Sequence, residues 1–191
     1  MKIQDLTEKE QKIQIRILKA FETQAFANGP KSVVMTQLAT ELGMSTKTLY
    51  RYFPNKTEMV VAIVENWRDS MEEHRNTRIK KNQNAAERIT EAILEWFNLN
   101  NRICDAFWPQ VERDYPDAYV IFEQNRLAFL QTSRENLLPE IRKDLQPDIA
   151  LLSLLTIINN MPNAEVCNEF NITRKDALIQ TVEVWTKGAL K

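Results

Sequence analysis

Apolar positions along the chain recur at intervals of three and four and nowhere alternate for long, so an all-α protein is expected. Thr7-Glu8-Lys9-Glu10 has the form of a capping box, in which a threonine oxygen serves a helix amide and the glutamate reaches back. Behind it Ile13, Ile17, Ala20 and Phe21 share one face, with Leu18 and Ala25 beside them, until Asn28-Gly29-Pro30 stops the helix. Short helices follow at 36–42 and 46–53. A long one is expected from Lys56 to about Lys80, with Met59, Ile63 and Trp67 one turn apart. After a polar joint at 80–84, a fifth helix carries Ala86, Ile89, Ile93, Trp96 and Phe97. A sixth, within 101–114, is interrupted by Pro109, and Pro116 opens a seventh that runs toward Leu138-Pro139. Pro147 opens the apolar segment "DIALLSLLTII", polar connectors surround Pro162, and Thr173 caps a last helix bearing Leu178, Thr181, Val182, Trp185 and Ala189. The total is about nine helices.

The stretch "TQLATELGMSTKTLYRYF" has a more particular form. Ala39 stands four residues before Gly43, and a small residue at that place lets two helices cross steeply. Gly43 supplies the positive φ of the turn. Leu38, Leu42, Met44 and Leu49 provide apolar contacts, and Ser45 is placed to cap the second helix. At 100° per residue, Leu49 and Phe53 fall on the core side of that helix. Lys47 and Arg51 fall opposite, flanked by Thr48 and Tyr50. Cations on such a face can neutralise phosphates or bond guanine edges, and the hydroxyls can reach phosphate oxygens. Lys56 adds a cation at a helix N-terminus, where amide dipoles already favour an anion. The same face also suits an ordinary solvated helix.

Composition narrows the alternatives. Apolar residues make up 43 % of the 191 and charged ones 27 %, as in a globular protein able to bury a core. The net charge of −1 says nothing of nucleic acid, but its distribution does. Residues 1–56 hold nine Lys/Arg against five Asp/Glu, and the remainder holds sixteen against twenty-one. A basic head on an acidic body suits a head that meets phosphate. Cys104 and Cys167 lack a C-x-x-C spacing and read as buried thiols, and no signal-peptide pattern opens the chain, so a reduced cytoplasmic protein is expected. The longest apolar run, 149–158, is half of what a bilayer crossing needs. His74 is the only histidine, which leaves no nucleophilic triad and no metal set to assemble, and no glycine-rich phosphate loop is present. Neither an enzyme, a metal nor a cofactor is expected.

Residues from Ile13 to about Val64, above all "MTQLATELGMSTKTLYRYF" and "NKTEMV", resemble the TetR family of bacterial transcription regulators. The resemblance covers about a third of the chain and implies a DNA-binding head, 1–55, and an effector-binding and dimerisation body, 56–191. It implies a homodimer that sets its third helices in the major groove of a palindromic operator on double-stranded DNA, and most simply a repressor released by a small-molecule effector. An activator, or a dimer without effector, shares the same fold. Carried over by position, DNA contacts would come from Thr36, Ser45, Thr46, Lys47, Thr48, Tyr50, Arg51, Tyr52 and Lys56, with packing an equal alternative for Tyr52. The effector pocket would draw on Trp67, Trp96, Phe97, Phe107, Trp108, Tyr119 and Phe122, which are also suited to a plain core. The last two long helices would form the dimer interface through Leu152, Leu155, Ile158, Leu178, Val182 and Trp185, an intramolecular core being the alternative.

Overall fold

A computed structural model describes residues 7–77, 84–160 and 164–191. The capping box forms as expected. Thr7 Oγ1 accepts from the Glu10 amide, and the Glu10 carboxylate accepts from the Thr7 amide at 3.0 Å. Helix α1 (Glu8–Asn28) follows, and Gly29, at φ 83°, ends it. Ile17, Phe21 and Ala25 are fully buried, while Ile13, Leu18 and Ala20 pack at the margin of the same core.

A 3-10 turn (Pro30–Ser32) leads into α2 (Met35–Glu41), and α3 (Thr46–Tyr52) comes after the glycine turn. Gly43 adopts φ 66°. The amides of Gly43 and Met44 close the end of α2 onto the carbonyls of Thr40 and Ala39, at 3.0 and 2.9 Å. Leu38 and Leu49 are fully buried and Ala39 is 1 % exposed, so the small residue lies where the two helices meet. Asn55 then caps α4 (Lys56–Thr77) by accepting from the Glu58 amide at 2.9 Å. The expected continuation of this helix to Lys80 and the joint at 80–84 lie, from residue 78 to 83, outside the described residues.

The remaining helices are α5 (Ala85–Asn100), α6 (Phe107–Asp114), α7 (Pro116–Leu137), α8 (Pro147–Asn159), α9 (Ala164–Glu169) and α10 (Arg174–Ala189). Among the described residues there are thus ten helices where about nine were expected. The addition is α9, whose six residues are too few for an apolar period to show. Pro109 does not interrupt α6. It is the third residue of that helix, inside the first turn, where a missing amide costs no hydrogen bond. Among the described residues there are no strands beyond one isolated antiparallel bridge, Ile141 to Leu190, and no helix is long and apolar enough to cross a membrane.

The chain divides into two compact units: Met1–Ser70 with Asn101–Gln124, and Met71–Asn100 with Asn125–Lys191. These units do not coincide with the expected segments 1–55 and 56–191. The reason is that α6 and the start of α7 complete the core begun by α1 to α4, through Phe107, Val111, Tyr115 and Ala118. In the second unit α10 packs on α5, α8 and α9. Its Leu178, Val182, Trp185 and Ala189 are buried with Ile93, Phe97, Leu151, Leu154 and Ile158. Trp185 Nε1 donates to Ser153 Oγ at 2.9 Å.

This packing revises the surface expected to meet a second copy. Ile158, Leu178, Val182 and Trp185 belong to the protomer's own core, and Leu155 is partly buried against it. Of the six expected residues only Leu152 stands out, at 62 % exposed, joined on the outside of this unit by Ile149 and by Val184 of α10. The run 149–158 is apolar on all sides, so hydrophobicity alone did not say which side faces inward.

An added Cβ at Gly43 would meet nothing within 4 Å, so its substitution isolates the backbone term. Gly43→Ala is expected to destabilise the protein by about 1–2 kcal/mol, the usual cost of a left-handed non-glycine residue, and Gly43→Val by more. Urea unfolding measures both, and wild-type midpoints would show that the turn does not hold α2 against α3.

Candidate nucleic-acid interface

Helix α3 is built from its cap outward. Ser45 Oγ accepts from the Thr48 amide at 3.0 Å and shares a 2.8 Å hydrogen bond with Thr48 Oγ1. Both hydroxyls are therefore engaged at the helix start. Leu49 points fully inward, and Tyr50 after it turns outward. Lys47, Tyr50 and Arg51 are exposed, and Thr46 and Thr48 are half-buried. Thr36, second residue of α2, is exposed as well.

Three expected contact residues have commitments elsewhere. Tyr52 is only 7 % exposed and belongs to the core. Its hydroxyl accepts from Arg51 Nη2 at 3.0 Å, and the Arg51 guanidinium sits 5.1 Å from the Tyr52 ring centroid. Tyr52 thus orients Arg51 rather than presenting its own hydroxyl. Hydrogen bonds from Thr7, with a smaller contribution from the Arg51 charge, hold the Glu10 carboxyl below its ordinary range. Lys56 Nζ donates to the carbonyls of Pro30 at 3.1 Å and Lys31 at 3.2 Å, and partial burial lowers the ammonium's pKa. Two of its three donors therefore serve the turn before α2.

One surface residue escaped the sequence reading. Val34 precedes α2, is 47 % exposed and provides no side-chain cap. It is apolar surface beside Thr36, of the kind that covers a thymine methyl. A valine in a mixed stretch carries no signal of its own, so only the tertiary placement discloses it.

Five of the seven candidate pocket rings come together in the first unit. Trp108 lies 4.2 Å from Phe122 and 4.8 Å from Trp67 by ring centroids, Phe107 is 5.0 Å from Trp108, and Tyr119 is 5.8 Å from Phe122. Burial, then the charges of Glu123 and Glu112, push the Tyr119 phenol up. Trp96 and Phe97 belong to the core of the second unit instead. Neither cysteine forms a disulfide; Cys167 is buried and Cys104 half-buried. His74 lies within α4. Among the described residues no three His, Cys, Asp or Glu side chains gather as metal ligands.

A glycine-turned pair of short helices with a cationic, hydroxyl-bearing outer face defines the class: a helix-turn-helix DNA-binding head. The comparisons specify it further. Residues 17–63 match the model of the bacterial regulatory proteins of the tetR family. The match lies within this head. Nucleoid occlusion factor SlmA of Salmonella newport (strain SL254) is 29 % identical over 101 residues, which are 53 % of this chain and 48 % of that protein. The chain thus spans about half the length of this relative. The fold as a whole is shared more widely. A protein of Saccharomonospora viridis, assigned as a transcriptional regulator and solved in complex with choline, superposes with a TM-score of 0.75 at 14 % identity, over 94 % of this chain and 98 % of that one. The ketosteroid transcriptional regulator KstR2 of Mycobacterium tuberculosis gives a TM-score of 0.67 at 15 % identity, over 94 % and 95 %.

The cap and the outward cation are separable. Ser45→Ala is expected to cost about 0.5–2 kcal/mol of stability, as at other helix caps. Lys47→Ala should stay within about 0.5 kcal/mol, as surface changes do. Parallel thermal and urea melts check this, and the reverse order of effects would show Lys47 to be structural.

Proposed function

We propose that the chain is a transcriptional regulator that binds double-stranded DNA as a homodimer, with α3 of each copy in the major groove. The observation that carries this reading is the division of α3. Leu49 is fully buried while Lys47, Tyr50 and Arg51 point outward from a rigid, capped, glycine-turned support. In this arrangement Lys47 meets phosphate or a guanine edge, Arg51 is steadied by Tyr52, Thr46 and Thr48 reach phosphates, and Val34 with Thr36 approaches a neighbouring base step. Lys56 contributes through its remaining donor.

The simplest regulatory form is a repressor of a palindromic operator, released by a small molecule. The half-exposed rings of Trp108, Tyr119 and Phe122, with the buried Trp67, support an aromatic effector site in the first unit. The second copy is supported by Ile149, Leu152 and Val184, which are 61 %, 62 % and 72 % exposed on the second unit and apolar.

Fluorescence anisotropy with a duplex from the gene's own upstream region tests the reading. Saturable binding that prefers this duplex to a scrambled one and falls steeply with salt is expected. Lys47→Ala should weaken it and reduce the salt slope by about one phosphate's worth. Binding that ignores both sequence and Lys47 would overturn the assignment of α3. Independently, Leu152→Glu should shift sedimentation toward the monomer with helicity unchanged. A stable dimer would move the interface elsewhere.

A further inference from the structure

The turn between α1 and α2 is gripped from two sides. From α6, Gln110 fills the space that Gly29 leaves open: a Cβ on Gly29 would lie 2.6 Å from Gln110 Nε2 and 2.7 Å from its Oε1. The same Oε1 accepts from the Lys31 amide at 3.0 Å. From α4, Lys56 Nζ takes the carbonyls of Pro30 and Lys31. The Lys31 residue is therefore held by its amide to one helix and by its carbonyl to another. Lys56 begins α4 four residues after Tyr52 ends α3, and the short link between them is anchored by the buried Phe53. The turn thus lies on the line from α6 to the exit of α3.

The far side of this line is also fixed. Phe107, fully buried, meets Phe26 of α1 edge-on at 5.0 Å. The Cys104 amide, just before α6, donates to the Phe26 carbonyl at 2.7 Å. Trp108, two residues before Gln110, sits in the ring cluster with Trp67 and Phe122. A shift of these rings that carries α6 would reach Gln110 directly, and a side chain seated on a glycine has no slack to absorb it.

We propose that Gln110 is a positioning residue for DNA binding: from α6 it holds the Gly29–Lys31 turn, the turn holds Lys56, and Lys56 sets where α3 leaves the head. This rests on the DNA-binding reading above. Gln110 touches no DNA in this account, and it acts only through the turn.

The test compares Gln110→Ala, Gln110→Met, which keeps the volume but loses the acceptor, and Gln110→Glu, which keeps the acceptor. Duplex affinity is titrated across salt in the full-length chain. Ala and Met variants should bind about fivefold more weakly, as for loss of one hydrogen bond. Their salt slope should stay at the wild-type value because no phosphate contact is lost, and Glu should restore affinity. In the DNA-free protein, amide chemical shifts should change at Lys31, Lys56 and along Thr46–Tyr52. Wild-type affinity in both Ala and Met, a reduced salt slope, or shift changes that stop at Lys31 would each overturn the proposal. If the wild-type chain bound no duplex, the DNA reading would fall and the functional role of Gln110 with it. The shift map would still decide whether the turn passes a displacement to α3.

Discussion

The angle between α2 and α3 depends on one backbone conformation. Gly43 at φ 66° turns the chain sharply enough for the Gly43 and Met44 amides to close α2, so that Ser45 can open α3 two residues later. Two seven-residue helices are too short to hold themselves in water. They persist because the turn presses Leu38 and Ala39 against Leu49 in a core shared with α1 and α4. With that angle set, Lys47 and Tyr50 have no choice but to face outward. The chemical face of the head is in this sense a consequence of its packing.

The cations near this face divide their work. Lys47 is exposed on the outer side of α3. Arg51 leans on Tyr52 through both its charge and a hydrogen bond, which lowers the entropy to be lost when it is used. Lys56 is turned to two carbonyls and partly desolvated, a place where removing its charge would leave those acceptors unpaired. Its position at the start of α4 and its chemistry as a cation fit a phosphate contact equally well. What distinguishes the two roles is the proximity of Pro30 and Lys31, more than twenty residues away in sequence.

The second unit follows a different logic. Helix α10 is its centre, and the residues that looked best suited to a dimer are the ones that hold the protomer together. Surface left over on α8 and α10 is still apolar at Ile149, Leu152 and Val184. A single helix that is greasy on every side covers its own core with one face and keeps an apolar face outside it. The ring cluster of the first unit shows the same economy, since Trp67 and Phe107 are buried while Trp108, Tyr119 and Phe122 stay half-open.

Much of this was legible from residue order alone. The caps at Thr7, Ser45 and Thr173, the stop at Gly29, the turn at Gly43 and the inward side of α1 and α3 are local matters, governed by backbone geometry and helical period, and they appear where the spacing put them. The basic outer face of α3 follows from the same period. The sequence could not say that Gln110 would rest on Gly29, that Lys56 would serve a distant turn, that Tyr52 would face inward, or that Leu178, Val182 and Trp185 would be core rather than interface. Nor could it extend the first unit to α6 and the start of α7. Each of these depends on which helix packs against which, and an amphipathic period names the face that will be covered without naming its partner.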